Sequence, residues 1–332
     1  MFRNWLITGG CGFIGVNLVK KLLSIDENLG IRILDNLSVG TREDLKEVCN
    51  FKEVFPEQIK DRPNKVELLI GDIRDINICA IAAKGIDVIV HLAANSGVAP
   101  SVENPLYDMD VNVRGTFNML EAARKNSVKR FIFASSGAPL GEVEPPIHEE
   151  IAPKPVSPYG ASKLAGEAYC SAYYRTFGVN TVVLRFGNVY GPHSKHKSSV
   201  VAKFFKKALS GEVLEIYGDG TQTRDFIYID DLIQAILLSA NSHKNIGGEI
   251  FQIATFKETT VNEIAQKIKE IVENKTGKRV KIIYTKPRIG DVKRNYSDIS
   301  KAKRLLGYEP KYNLEKGLLK TFEYFYKKFF KN

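Results

Sequence analysis

Tyr159 and Lys163 stand four residues apart in Ser157-Pro158-Tyr159-Gly160-Ala161-Ser162-Lys163, a spacing that puts a phenol and an ammonium on one face of a helix. A nearby cation favours phenolate. Drawing a tyrosine from about 10 towards neutrality corresponds to roughly 4 kcal/mol of differential interaction. A tyrosine activated in this way can take a proton from an alcohol hydroxyl. Ser157 is the expected cap of this helix and Pro158 its first turn. Pairs like this occur on many ordinary helices, so the chemistry depends on what lies beside them.

A second constellation supplies the context. Thr8-Gly9-Gly10-Cys11-Gly12-Phe13-Ile14-Gly15 follows the strand-like Trp5–Thr8 and opens a helix. Glycines allow backbone to approach a phosphate with no Cβ in the way, and a helix N-terminus offers free N–H groups and partial positive charge. Asp35 lies twenty residues beyond Gly15, at the end of the second strand. That is the context of a dinucleotide site, with the carboxylate on the ribose 2′-OH. A carboxylate there repels a 2′-phosphate, so NAD is expected rather than NADP, although Arg42 is close in sequence.

These residues need a scaffold, and the chain's periodicity provides one. Apolar, β-branched runs at Trp5–Thr8, Ile31–Asp35, Val66–Ile70, Val88–Leu92, Phe131–Ser135 and Thr181–Arg185 alternate with helical patterns at Gly15–Ser24, Pro105–Asn126 and Pro158–Phe177. Such alternation predicts an α/β fold, a Rossmann-type doubly wound parallel sheet with its ligand crevice at the carboxyl ends of the strands. After Arg185 the pattern loosens. Helices are expected near Val200–Leu209 and Asp231–Ala240, and a strand at Ile250–Ala254 that returns to the sheet. The chain from about residue 255 reads as helix, short strand, helix. The expected second lobe is therefore smaller and discontinuous.

Composition excludes several classes. The 332 residues are 44% hydrophobic, enough for a packed core. No apolar run is long enough for a membrane span. The opening Met1–Trp5 lacks the sections of a signal peptide, and the four cysteines show no ligand or disulfide spacing, so a cytoplasmic protein without a metal site is expected. Residues 1–150 carry 17 basic and 21 acidic side chains, and residues 151–332 carry 31 and 17. The lysines of the basic half are scattered over helical faces, which argues for a solvated surface rather than a nucleic-acid site. An anionic small ligand held by a few arginines also fits this half.

Thr8–Gly15, Gly71-Asp72-Ile73, His91-Leu92-Ala93-Ala94, Ser136 and the Tyr159/Lys163 pair together resemble the extended short-chain dehydrogenase/reductase family, and within it the NAD-dependent nucleotide-sugar epimerases. The likeness runs nearly end to end. It implies that Gly9, Gly12, Phe13, Ile14 and Gly15 cradle the NAD pyrophosphate and that Asp35 and Asn36 hold the adenosine ribose. Asp72 and Ile73 would flank adenine, Leu92, Ala93, Ala94 and Asn112 would lie along the cofactor, and Lys163 would grip the nicotinamide ribose. Ser136, Tyr159 and Lys163 would be catalytic. Asn188, Arg224, Arg288 and Asp291 match residues at the substrate diphosphate and nucleotide ribose, and Ser101 and Ser136 would also touch substrate. Residues 1–186, with 226–254 returning, would form the NAD-binding domain; 187–225 and 255–332 would form the nucleotide-sugar lobe. The two long helices Pro105–Asn126 and Pro158–Phe177 would pair with their copies in a homodimer.

Departures from the family pattern sharpen the reading. The strand carrying the catalytic hydroxyl ends Ser136-Gly137-Ala138-Pro139-Leu140-Gly141, with Leu140 where the family has tyrosine. Family dehydratases and decarboxylases carry acidic residues just after that hydroxyl; Gly137 and Ala138 stand there in this chain. The glutamates that follow (Glu142, Glu144, Glu149, Glu150) read as a solvated loop. Asn295, four residues past Asp291, occupies a sugar-pocket position where a large tyrosine excludes N-acetyl groups, so the pocket is expected to admit them. The expected activity is 4-epimerisation of a UDP-hexose through a transient 4-keto sugar; a dehydratase, decarboxylase or reductase of the same family is the alternative.

Overall fold

Every residue of Asn4–Thr8 (β1) and Gly30–Asp35 (β2) is buried. Parallel strands covered on both faces require this, which is why these segments run apolar without alternation. The structure, a computed structural model, describes residues 2–287 and 292–330. With Lys52–Val54 (β3), Val66–Ile70 (β4), Val88–His91 (β5), Arg130–Ser136 (β6) and Thr181–Phe186 (β7), the first two strands build one sheet in the order β3-β4-β2-β1-β5-β6-β7. Asn188–Tyr190 (β8), Leu214–Tyr217 (β9), Thr223–Arg224 (β10) and Phe226–Tyr228 (β11) stand outside it. Glu249–Ile253 (β12) then returns beside β7 as the eighth strand, in parallel register like all the others.

Helices connect and cover the strands: Phe13–Ile25 (α1), Arg42–Lys46 (α2), Ile76–Ala82 (α3), Val98–Glu103 (α4), Pro105–Met109 (α5), Gly115–Lys125 (α6) and Pro158–Phe177 (α7). The α7 start is as expected. Ser157 Oγ accepts the Gly160 N–H at 3.1 Å, and Pro158 sits in the first turn. Gly166 brings α7 hard against β6, since a Cβ there would lie 2.4 Å from the Phe133 ring. The expected single helix over Pro105–Asn126 is instead α5 and α6 joined by a π turn at Asp110–Arg114. Such turns mark irregular, often functional, points in helices. Here the turn carries Asn112 inwards to Asn95, Asp108 and Ser162.

The rest of the chain adds Val200–Ser210 (α8), Ile229–Asn241 (α9), Thr259–Thr260 (β13), Val261–Thr276 (α10), Ile282–Thr285 (β14), Ser300–Leu306 (α11) and Leu314–Phe330 (α12). Two-stranded pairings β8–β11, β9–β14 and β10–β13 face the carboxyl ends of the main sheet. Asp225, between β10 and β11, ties this region together. Its buried carboxylate accepts from Thr255 N, Thr255 Oγ1 and Phe256 N at 2.6–2.9 Å.

Candidate active site

A cleft of about 880 Å³ opens along the carboxyl ends of β1, β2, β5, β6 and β7. Doubly wound sheets place their ligand crevice here, where successive connections leave β1 in opposite directions. One wall is the glycine loop. Gly9, at φ +67°, turns the chain out of β1, and Gly12 precedes α1 without any side-chain cap. The first-turn N–H groups of Phe13, Ile14 and Gly15 are therefore left for a ligand. A Cβ on Gly12 would meet only Gly9 O, at 3.2 Å, because that side otherwise opens into the cleft. The loop fits a dinucleotide pyrophosphate.

Asp35 ends β2 on the same wall. Its Oδ2 accepts from Cys11 N at 2.9 Å and its Oδ1 from Leu37 N at 2.8 Å, which aims the carboxylate and leaves each oxygen a lone pair for a ribose hydroxyl. Burial raises its pKa against these two bonds. Arg42, the sequence feature that pointed the other way, is held by Glu53 through two bonds of 2.7 and 2.9 Å. Asn36 Nδ2 donates to Asp72 Oδ2 at 3.0 Å. Asp72 is also gripped by Arg74, which holds its carboxyl down at about 2. Asn36, Asp72, Ile73, Leu92, Ala93 and Ala94 all line the cleft.

Ser136, Tyr159 and Lys163 converge across from the loop. Burial pushes the Tyr159 phenol up to about 12, with the Ser136 hydroxyl pulling the other way and Asp108 adding to the rise. Burial pushes Lys163 down to about 8, against Asp108 and Glu167. The Lys163 ammonium donates to Ala134 O at 2.9 Å and lies 5.9 Å from the Tyr159 ring centre. Behind it, Glu167 accepts Ser135 Oγ at 2.5 Å and takes Arg185 in a two-pronged pair at 2.8 and 2.7 Å. That buried pair pins β6, β7 and α7 to one another directly under the catalytic strand.

Sequence reasoning missed a supporting chain through His91. Thr8 Oγ1 accepts from Leu92 N and Ala93 N, so its own proton goes to His91 Nδ1 at 2.7 Å. Thr116 gives its proton to Asn112 O at 2.6 Å and so accepts from His91 Nε2, 3.1 Å away. The imidazole is thus the neutral Nε2–H tautomer, in keeping with burial pushing it down to about 3. The histidine of His91-Leu92-Ala93-Ala94 locks the cofactor wall in place. The loop Gly191–Ser199 puts His193, His196 and Lys197 on the cleft, with His196 bonded to Asp44 at 2.9 Å.

The substrate candidates divide. Asn188 lines the cleft and is exposed. Arg224 also lines it, with Nη1 donating to Thr223 O and Val292 O at 2.6 and 2.7 Å. Ser101 and Asn112 stand apart from these. Both are buried off the cleft wall: Ser101 Oγ is spent on Val98 O, and the Asn112 amide on Asn95, Asp108 and Ser162. Asn295 is off the wall too, its N–H on Thr223 Oγ1. Glu149 accepts Gln252 N at 2.7 Å, so it fastens its loop to β12 instead of being fully solvated. Arg288 and Asp291 lie outside the described residues.

Comparison with known proteins agrees with this geometry. The profile of the NAD dependent epimerase/dehydratase family matches residues 5–254. A putative UDP-glucose 4-epimerase of Methanocaldococcus jannaschii is 41% identical over 318 residues, 94% of this chain and 95% of the relative. The crystal structure of a Thermotoga maritima UDP-glucose 4-epimerase with UDP-glucose superposes with a TM-score of 0.86 at 37% identity, over 98% of this chain and 99% of that one. A Bacillus cereus UDP-glucuronic acid 4-epimerase, solved with UDP-glucuronic acid and NAD, gives 0.84 at 30% identity, over 98% and 99%. With a dinucleotide loop, a Tyr/Lys pair and full-length likeness in one chain, this protein belongs to the NAD dependent epimerase/dehydratase family.

Proposed function

We propose that this chain is a UDP-hexose 4-epimerase, acting on UDP-glucose and UDP-galactose or on their N-acetylhexosamine or uronic acid counterparts. The observation that carries the reading is Ser136, Tyr159 and Lys163 facing the glycine loop across one cleft, in a chain so similar to enzymes of that name.

Bound NAD supplies a hydride acceptor that gives back what it takes, so it leaves each cycle unchanged. Gly9, Gly12 and Gly15, with the amides of Phe13 and Ile14, hold its pyrophosphate, and Asp35 and Asn36 its adenosine ribose. Asp72 and Ile73 flank the adenine, Leu92, Ala93 and Ala94 lie alongside, and Lys163 reaches the nicotinamide ribose. Tyr159 takes the proton of the sugar 4-OH, relayed through Ser136, and Lys163 supplies the charge that makes the phenolate accessible. Asn188, Arg224 and Arg288 anchor the diphosphate, where guanidinium forks suit phosphate oxygens, and Asp291 takes the nucleotide ribose. A substrate tethered at that end leaves its 4-keto hexose free to turn over before reduction from the opposite face. Gly137 and Ala138 supply no acid for dehydration, and Gly137 faces open space.

Tyr159→Phe tests the reading: it should retain NAD and lose at least about 10²-fold in turnover. A variant with wild-type turnover removes Tyr159 from the chemistry.

The division into an NAD domain (1–186 with 226–254) and a nucleotide-sugar lobe (187–225 and 255–332) belongs to the same proposal. A homodimer is supported by the apolar side chains exposed on neighbouring helices, Val102, Leu106, Met109, Tyr169 and Phe177. Four free cysteines fit the reducing cytoplasm. None of the described helices is long and apolar enough to cross a membrane.

A further inference from the structure

Two buried carboxylates, Asp108 and Glu167, lie near enough to act on Lys163 through space, and they are spent differently. Glu167 has both oxygens committed, to Ser135 and to the two-pronged pair with Arg185, so that unit is neutral. Asp108, on α5, is fully buried as well. Its Oδ1 accepts from Asn112 Nδ2 at 3.0 Å and Asn95 Nδ2 at 3.4 Å. Its Oδ2 has no hydrogen-bond partner, and no arginine or lysine pairs with it among the described residues. Burying such a group is costly, so its presence calls for a compensating charge. The Asn112 amide that holds Asp108 also touches Ser162 Oγ at 3.1 Å, on the residue next to Lys163.

We propose that Asp108 is a positioning residue of this site: its carboxylate is the through-space counter-charge that keeps the Lys163 ammonium protonated while Tyr159 works. The proposal rests on the roles assigned above to Tyr159 and Lys163.

The groups facing Lys163 leave Asp108 as the one uncompensated charge. On α7 these are Tyr159, Glu167 and Cys170; His91 faces it from β5, Asp108 from α5, and Arg185 stands behind Glu167 on β7. His91 is neutral, burial keeps the Cys170 thiol protonated, and Glu167 and Arg185 cancel. Asp108 leads the groups that resist the downward push of burial on Lys163. The same carboxylate raises Tyr159. Removing its charge therefore moves both groups to lower pH.

The test is an NMR titration of the Lys163 side chain in NAD-loaded protein, assigned by its loss in K163M, for wild type, D108N, D108S and D108E. D108N and D108S both remove the charge, so a folding failure in one leaves the other to decide. Lys163 should titrate at least about one pH unit lower in the neutral variants, since a Coulomb interaction within about 10 Å at an effective dielectric near 20 is that large or larger. D108E should bring it back towards wild type, and the alkaline limb of kcat with UDP-glucose should move with it. A midpoint unchanged in the neutral variants overturns the proposal. Wild-type turnover by Y159F would sink the base assignment yet leave this titration free to judge Asp108.

Discussion

Gly12 and Gly15 make opposite demands, and substituting each with alanine separates folding from cofactor binding. At Gly15 an added Cβ would sit 2.5 Å from Gly10 Cα and 2.6 Å from the carbonyl oxygens of Gly9 and Gly10, all backbone atoms of the loop itself. Overpacking of that kind costs about 1–3 kcal/mol, and rigid backbone neighbours put G15A at the upper end. At Gly12 the only neighbour is Gly9 O at 3.2 Å, and φ −77°, ψ 174° is open to any residue. Alanine there gains about 0.4–1 kcal/mol from a less free unfolded chain and loses a similar amount as a poorer helix cap. G12A should therefore melt close to wild type when both are stripped of dinucleotide, and G15A about 3–5 °C lower. Cofactor content should fall in both. In G12A the methyl group displaces the pyrophosphate from two or so amide bonds of about 1 kcal/mol each, a loss of at least about tenfold in affinity. Calorimetry of stripped protein and nucleotide extraction from purified protein measure the two effects. A G12A protein that melts like G15A, or keeps its full complement of NAD, would refute this account of the loop.

Other outcomes follow from the same geometry. E167Q leaves the Arg185 guanidinium buried without its carboxylate and should cost about 3–5 kcal/mol in urea unfolding, whereas an apolar replacement of both partners should cost less. His91 should remain the neutral Nε2–H tautomer in ¹⁵N spectra from pH 5 to 9, and an imidazolium signal there contradicts the Thr8–His91–Thr116 chain. The unfolded chain binds a proton on this imidazole near its ordinary 6.5 while the folded one resists until about 3, so stability falls as pH drops between those values. H91Q should flatten that part of the stability curve. In protein without dinucleotide the Tyr159 phenol should titrate near 12 by ultraviolet difference absorbance and shift down once NAD is bound; an unchanged midpoint would show that cofactor charge does not activate it.

The cofactor wall was legible in the sequence because its demands are local. A glycine loop between strand and helix, Asp35 at the end of β2, and Ser157-Pro158 opening α7 each carry their reason within a few residues. The fully buried β1 and β2 read as strands for the same cause. Short β3 and α3 carry too little period to be seen. The π turn at Asp110–Arg114 escaped because its cause is tertiary: Gly115 presses on Ile73, and Asn112 satisfies groups from three segments. The Glu167–Arg185 pair and the neighbourhood of Asp108 join residues far apart in the chain, so no spacing rule reveals them. The bonds that Ser101 makes to Val98 O and Asn112 to Asp108 were not legible in the sequence either.

The central claim is a reversible change at one sugar carbon with no net use of cofactor. Purified protein incubated with UDP-glucose, UDP-glucuronic acid or UDP-N-acetylglucosamine, without added NAD, should give by proton NMR an equilibrium mixture of the substrate and its 4-epimer, of identical mass, from one of the three. Loss of water or carbon dioxide, a steady demand for fresh NAD, or no conversion of any of them would contradict it.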